Sequence, residues 1–244
     1  NAETLAQAAW ILANGVPAYR SVGTDESPGT VICTVVGDVR RPGVVEVPMG
    51  TPLREVVDLC GGPGEGRSVK AVFSGVANGV IGGADLATPL TYEALAAIGS
   101  GLGSAGFIVY DDSACMVEVA ATLSRFLWVE SCGQCPPCKL GTGQITAALE
   151  RIRTGPSSDA DLDRIERGLR IVTDGNRCYL PVQEQILVSS VLRSFPQDVA
   201  AHLEGRCAAA GRIIPPPKIV DLADGVVTYD DRQVRKRPDW TYEP

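Results

Sequence analysis

Three cysteines at two-residue intervals, Cys132, Cys135 and Cys138, constrain this chain more than any other feature of its sequence. At this spacing, three thiolates can bond different irons on one side of an iron–sulfur cube, and such sites take their fourth ligand from elsewhere in the chain. Cys178, between two predicted helices, is the candidate for that fourth corner. The segment precedes a predicted helix, whose N-terminal amides and dipole stabilise negative charge on sulfur. The sequence therefore predicts an iron–sulfur cluster on these four cysteines.

Two alternatives to this assignment stay open at the level of the residues. A structural zinc site is the first, although zinc ligands usually come as two separated pairs, each two to four residues apart. The second concerns the fourth ligand, for which Cys207 is a weaker rival of Cys178. Cys178 is favoured because the following Leu180-Pro181 anchors it at the start of a helix.

The chain contains eight cysteines and a single histidine. It begins with Asn1 and has neither an initiator Met nor a charged-then-apolar signal segment, so it is expected to be processed or a piece of a longer protein. Without an export signal, thiols or metal ligands are favoured over disulfides. Cys33, Cys60 and Cys115 are predicted to be small buried hydrophobic residues. His202 has no catalytic partner nearby in the sequence and is predicted to lie on the surface.

Composition excludes several classes of protein. The 244 residues are 45% hydrophobic and 21% charged, an ordinary globular balance. The net charge of −7 argues against nucleic-acid binding, which needs a basic surface. No run approaches the roughly 18 apolar residues of a membrane span, so direct membrane insertion is not expected. The Gly-rich segment Gly99 to Gly106 precedes a strand, whereas a dinucleotide phosphate loop follows one, so we expect only a flexible turn there.

Hydrophobic patterns and turn residues predict a β-rich unit followed by helices. The first unit is a hairpin, a helix and a strand, which suggests a small β-grasp-like module: Val31 to Val36, Val44 to Val47, Leu53 to Cys60 and Val69 to Phe73. Thr4 and Asp112 are predicted caps of the helices Leu5 to Ala13 and Cys115 to Val129.

A strand, Gly106 to Tyr110, precedes the helical part of the chain. Short helices joined by tight loops then predict a small bundle: Cys115 to Val129, Gly143 to Ile152, Ser158 or Asp159 to Ile171, and Pro181 to Leu192. Beyond Gly205, a hairpin around Asp224-Gly225 is expected. The last 15 residues, with the basic run Arg232 to Arg237, are predicted to form an extended, solvated or partner-binding arm.

The cysteine segment Glu130 to Thr142, with Cys178 beyond it, resembles the flavin-carrying NADH-dehydrogenase subunit of respiratory complex I and its relatives in NAD-linked hydrogenases and formate dehydrogenases. Three further segments are similar to this family, and the resemblance spans about residues 1–195: Gly99 to Val117, Gly37 to Glu55 (the β-grasp part) and Asn1-x-Glu3-Thr4-Leu5 at the edge of the flavin pocket.

The resemblance implies that Cys132, Cys135, Cys138 and Cys178 bind a [4Fe–4S] cluster, which takes electrons singly from reduced flavin mononucleotide (FMN). Asn1 and Thr4 match family positions that touch the flavin, so the resemblance makes them candidate cofactor-binding residues. The FMN and NADH residues of the family lie upstream of the Asn-x-Glu-Thr motif, so this chain alone is not expected to form a complete NADH site. Two differences are that Lys139 replaces a common arginine and that Tyr179-Leu180-Pro181 follows the fourth cysteine.

The expected fold class is therefore α+β, with a small β-grasp (soluble-ligand-binding, ubiquitin-like) domain followed by an all-helical iron–sulfur bundle. The expected division is residues 1–27 as the edge of a flavin domain, 28–85 as the β-grasp domain, 86–205 as the helical [4Fe–4S] domain and 206–244 as an extended tail.

The expected function is electron transfer in an NADH:acceptor oxidoreductase, with quinone favoured as acceptor, from reduced FMN through the cluster to further iron–sulfur centres. The expected partners are other subunits of an NADH dehydrogenase, hydrogenase or formate dehydrogenase complex. The location is expected to be cytoplasmic, or peripheral on the cytoplasmic face of the membrane through those subunits. Two alternatives are a zinc-stabilised scaffold whose β-grasp unit binds a ligand or partner, and a relative that keeps the cluster but takes electrons from another donor.

Overall fold

The structure, a computed structural model, describes residues 1–155, 158–208 and 214–243. Two helices, α1 (Ala2–Asn14) and α2 (Val16–Arg20), open the chain. The sheet and its short helices follow: β1 (Thr30–Gly37), β2 (Gly43–Pro48), α3 (Leu53–Leu59), β3 (Val69–Ser74), β4 (Ile81–Gly82), α4 (Tyr92–Ala97) and β5 (Gly106–Asp111). The helical part and the tail complete the order: α5 (Met116–Glu130), α6 (Pro136–Thr154), α7 (Asp159–Ile171), α8 (Leu180–Ser194), α9 (Pro196–Leu203), β6 (Ile219–Ala223) and β7 (Val226–Tyr229).

The five-stranded sheet has the order β2-β1-β5-β3-β4. Two of its inner strands, β1 and β5, are parallel, whereas β2, β3 and β4 pair antiparallel with their neighbours. A sheet with parallel first and last strands side by side is the β-grasp arrangement, so the predicted α+β class is confirmed. The expected division after residue 85 needs correction, because β5 lies in the region assigned to the helical domain but occupies the centre of the sheet.

Gly37 allows β1 to end against β5. Its φ is +91°, and a Cβ atom there would lie 2.2 Å from the backbone oxygen of Val109. Any other residue would therefore both strain the backbone and force the two strands apart.

Both faces of the sheet are buried, because side chains alternate along its inner strands. Phe107 and Val109 of β5 belong to a core with α3, on one face. Ile108 and Tyr110 point to the other face and pack in a core with α5 and the other bundle helices. The sheet is thus the layer between a small α3-side core and the helical bundle.

The starts of the bundle helices differ in part from the prediction. The Ser158 side chain caps α7 in a capping box with Asp161, as expected. Asp112 does not cap α5: its carboxylate accepts from Ser68, and the amide of Met116 instead donates to Asp198 Oδ2 at 2.8 Å. Helix α6 begins at Pro136, within the cysteine segment and not at Gly143, because the two prolines of its first turn need no backbone donors there.

Helix α1 begins at Ala2 with Asn1 at its N-cap, so the predicted cap at Thr4 is wrong. Within the described residues, no helix is both long and apolar enough to cross a membrane.

The tail contains the predicted hairpin, with Asp224 (φ 50°) and Gly225 (φ 76°) in its turn. The prediction of an extended, solvated arm beyond it is wrong. Lys236 Nζ lies 2.8 Å from Glu130 Oε1, and the Trp240 indole donates to the Val129 carbonyl at 3.0 Å. The negative charge and free carbonyls at the end of α5 attract these donors and hold the tail against the bundle.

Candidate metal centre

The cysteine loop joins α5 to α6. Ser131 ends α5 in an extended conformation, and Gly133 has a φ of +76°, which turns the chain back after Cys132. Cys135 is the N-cap of α6, and Cys138 lies in the first turn of that helix. The local sequence therefore places three thiols around one helix N-terminus, where the helix dipole favours negative charge.

Cys178 reaches the same place from the loop before α8, where the side chain of Asn176 donates to the Cys178 carbonyl at 2.9 Å. Burial raises the pKa of the Cys138 thiol, a hydrogen bond with Ser131 opposes this, and the charges of Cys178, Cys135 and Cys132 raise the pKa further. The structure thus brings together the four cysteines of the sequence-based prediction, and all four are free thiols.

The four thiols differ in exposure. Cys138 is buried, Cys135 is half-buried, and Cys132 and Cys178 are exposed. The group therefore lies at the surface, with one sulfur facing the interior and two facing outward.

The spacing of the four sulfurs suits a cube better than a single ion. A tetrahedral zinc site with bonds of about 2.3 Å holds its sulfurs roughly 3.8 Å apart. In the part of the chain that the structure describes, no three of these four thiols lie within 4.8 Å of one another. The larger spread and the all-thiol donor set fit an iron–sulfur cube, whose corners are separate iron atoms.

Lys139 fastens the cysteine loop to its surroundings. Its ammonium group donates to the carbonyls of Trp128, Ser131 and Pro238, at 3.0, 2.9 and 2.7 Å. Burial lowers the pKa of Lys139, while the nearby thiols of Cys138 and Cys132 work in the opposite direction. Lys139 thus supplies a positive charge beside the thiols and links the end of α5 to the tail.

Glu130, at the end of α5, receives the tail. Burial works to raise the pKa of its carboxyl, but hydrogen bonds from Lys236 and Gln233 lower it overall. The sequence pattern did not indicate this contact, because nothing local links Glu130 to residues more than 100 positions away.

Asn1 and Thr4, the candidate flavin contacts, lie exposed at the start of α1, an element that carries none of the four cysteines. Helix α1 is held to β1 by bonds from Gln7 to the Thr30 carbonyl and from the Ile32 amide to Glu3. A surface cavity of about 390 Å³ lies beside it, lined in part by Trp10. The role of Asn1 and Thr4 in flavin binding stays a prediction.

Cys33, Cys60 and Cys115 are buried, as predicted. Burial raises the pKa of Cys33 to about 12, which keeps it a neutral thiol.

His202 is buried, so its predicted surface position is wrong. Its Nε2 lies 3.1 Å from Cys115 Sγ, and its Nδ1 lies 3.1 Å from the Ile152 carbonyl. Burial lowers the pKa of the imidazole. The available signal was the spacing of Val199 and His202, which puts both on one face of a short helix that the sequence analysis did not assign.

Two family profiles match the chain. Residues 118–202 match the NADH-ubiquinone oxidoreductase-F iron–sulfur binding region, and residues 32–76 match the SLBB domain. The first match contains Cys132, Cys135, Cys138 and Cys178, and the second begins in β1 and ends just beyond β3.

The chain is similar to the NADH-quinone oxidoreductase F-type subunit 2 of Rhizobium meliloti (strain 1021), with 39% identity over 84% of this chain and 49% of the relative. It is also similar to the NADP-reducing hydrogenase subunit HndC of Solidesulfovibrio fructosivorans, with 36% identity over 84% of this chain and 42% of the relative. The chain thus spans about half the length of these relatives or less.

Among solved structures, the crystal structure of an NAD+-reducing [NiFe]-hydrogenase in the H2-reduced state is similar, with a TM-score of 0.73 and 31% identity. The match covers 82% of this chain and 34% of that chain. The chain therefore belongs to the family of the flavin-carrying NADH-dehydrogenase subunit and corresponds to the part of that protein that joins an SLBB domain to the [4Fe–4S]-binding region.

Proposed function

We propose that this chain is the electron-transfer part of an NADH:acceptor oxidoreductase, in which Cys132, Cys135, Cys138 and Cys178 hold the [4Fe–4S] cluster. The cluster would take electrons one at a time from reduced FMN and pass them to further iron–sulfur centres. The terminal acceptor we propose is a quinone, as the name of one relative indicates, and the hydrogenase relatives indicate the alternative.

One observation carries this proposal: the gathering of four free thiols from two distant loops around the N-terminus of α6. Three features of the chain suit a cluster that accepts electrons. The helix N-terminus and Lys139 favour its negative charge, burial of Cys138 shields one side, and exposure of Cys132 and Cys178 leaves a short path to a neighbouring redox centre.

The partners we propose are the other subunits of an NADH dehydrogenase, hydrogenase or formate dehydrogenase complex. FMN and NADH would be bound mainly by protein outside this chain, with Asn1 and Thr4 at the flavin edge. The peptide would then contribute the distance between the centres, the insulation of the cluster and the tuning of its potential.

The test is iron and sulfide analysis of anaerobically purified protein, with electron paramagnetic resonance after reduction. About four iron atoms and four sulfide ions per chain are expected, together with a signal from the reduced cluster. Cys178→Ala should lose the sulfide, most of the iron and the signal.

Cys60→Ala is the matched control, because Cys60 is a buried thiol outside the loop and its replacement should leave iron and sulfide unchanged. Wild-type protein with zinc in the four-cysteine loop and no sulfide would contradict the proposal and favour the zinc-stabilised scaffold. Loss of the cluster in Cys207→Ala but not in Cys178→Ala would overturn the ligand assignment.

A further inference from the structure

A second group of possible metal ligands lies outside the cysteine loop and is not used in the proposed electron transfer. It consists of Cys115, at the start of α5, His202, in α9, and Cys207, just after α9. One ligand atom from each residue lies within 4.8 Å of those of the other two. Cys115 and His202 are buried and Cys207 is half-buried, so this is an interior group of two thiols and an imidazole.

The distances are those of a site for one ion. Zinc bonds of about 2.3 Å to sulfur and 2.0–2.1 Å to nitrogen, arranged as a tetrahedron, place the ligand atoms about 3.6–3.8 Å apart. Cys115 Sγ and His202 Nε2 are already 3.1 Å apart, so a small movement would admit an ion between them. The four-cysteine loop is more widely spaced, which distinguishes the two groups of thiols.

The orientation of the histidine ring also suits a metal ligand. Its Nδ1 lies 3.1 Å from the Ile152 carbonyl, and because a carbonyl only accepts, Nδ1 carries the proton. In the neutral ring the Nε2 lone pair then faces Cys115. Metal-bound histidines usually donate their other nitrogen to a carbonyl or carboxylate in this way, which holds the ring in place.

The start of α5 supports negative charge on the Cys115 sulfur. The backbone amides of Val117 and Glu118 favour the thiolate, and they belong to a helix N-terminus whose dipole acts in the same sense. The same end of α5 is tied to α9 through the Met116 amide and Asp198, so Cys115 and His202 are held in a fixed relation.

We propose that Cys115, His202 and Cys207 bind one zinc ion, with water in its fourth position. Two thiolates and an imidazole form a donor set that zinc prefers. The described residues offer no further Cys, His, Asp or Glu to this group. The ion would pin the segment that leaves α9 to the start of α5, independently of the iron–sulfur cluster.

The test is zinc and iron analysis of the purified chain, combined with X-ray absorption at the zinc edge. Wild-type protein should hold about one zinc per chain, with two sulfur ligands and one or two nitrogen or oxygen ligands. Cys207→Ser should lose the zinc and keep the iron, whereas the control Cys60→Ala should keep both. Cys178→Ala should lose iron and keep zinc, which separates this site from the cluster.

Three results would overturn the proposal: wild-type protein that binds no zinc after dialysis against zinc chloride, zinc retained by Cys207→Ser, or a zinc edge showing four sulfur ligands. Circular dichroism checks that Cys207→Ser is folded, which is expected because Cys207 is half-buried and lies outside the helices. If that variant does not fold, the ligand shell of the wild-type zinc still decides.

Discussion

At the residue scale, Glu184 of α8 is the most unusual group in the bundle. It is fully buried, accepts a hydrogen bond from Ser124 at 2.6 Å through Oε1, and leaves Oε2 without a partner among the described residues. Burial raises the pKa of Glu184 to about 8, although the Ser124 hydroxyl works in the opposite direction. Glu184 is therefore protonated in the folded chain at neutral pH.

This proton makes stability depend on pH. The folded chain keeps it up to a pH of about 8, whereas the unfolded chain loses it near its ordinary pKa of 4.5. The contribution of Glu184 is therefore fully present below pH 4.5 and is lost as the pH rises to about 8, at up to about 1.4 kcal/mol per pH unit.

We expect Glu184→Gln to flatten this dependence, because glutamine does not titrate. The measurement is urea unfolding of both proteins at several pH values between 5 and 8. The free energy of unfolding of wild type should fall relative to that of the variant as pH rises. Glu166→Gln, an exposed change on α7, should follow wild type, and parallel curves for wild type and Glu184→Gln would contradict the assignment.

Tyr110 of β5 presents a second buried polar group. Its hydroxyl has no hydrogen-bond partner among the described residues, although its ring packs edge-on against Phe73. An unsatisfied buried hydroxyl costs about 1–3 kcal/mol. Tyr110→Phe should therefore increase the free energy of unfolding by about 1 kcal/mol in denaturant titration, and a decrease would mean that the hydroxyl has a partner.

At the scale of elements, the tail is held to the bundle by few contacts. Lys236 pairs with Glu130 and is only 13% exposed, so the pair is partly shielded from water. Loss of a hydrogen bond to a charged group costs about 1.5–3 kcal/mol. The docking of the residues after β7 should therefore depend strongly on this side chain.

Lys236→Met should release the tail while leaving the helices folded. The measurement is amide hydrogen exchange of the peptide covering residues 231–243, which should become faster than in wild type. Arg170→Met removes an exposed cation from α7 and should leave that exchange unchanged. Equal exchange in Lys236→Met and wild type would show that Trp240 and Lys139 hold the tail without the ion pair.

At the scale of the whole molecule, the sheet and the bundle share one core. Ile108 lies on the sheet face that packs against the helices and is 7% exposed, whereas Ile32 of β1 is 42% exposed. Removing a buried isoleucine side chain to alanine costs about 2–5 kcal/mol. Because β5 lies at the centre of the sheet, the loss is transmitted to both parts.

Ile108→Ala should lower the thermal midpoint of the sheet and of the bundle together, with Ile32→Ala as the matched control of small effect. Far-UV circular dichroism reports the backbone, and visible absorbance reports the cluster held by the bundle. Coincident midpoints are expected. A midpoint that falls for only one of the two signals would mean that the two parts unfold separately.

The sequence by itself determined what depends on near neighbours in the chain. Apolar alternation specified the strands of the hairpin, Ser158 with Asp161 specified the start of α7, and Asp224-Gly225 specified the tail turn. The spacing of Cys132, Cys135 and Cys138 specified a metal-binding loop. Each of these signals acts over a few residues, through backbone propensity or side-chain reach.

Only the tertiary structure decided the features that join distant segments. It placed β5 between β1 and β3, docked the tail on Glu130, and buried His202 against Cys115, which is 87 positions away. No local pattern encodes these contacts, because they arise when separately specified elements bury their apolar faces against one another. The second group of metal ligands is a product of that packing.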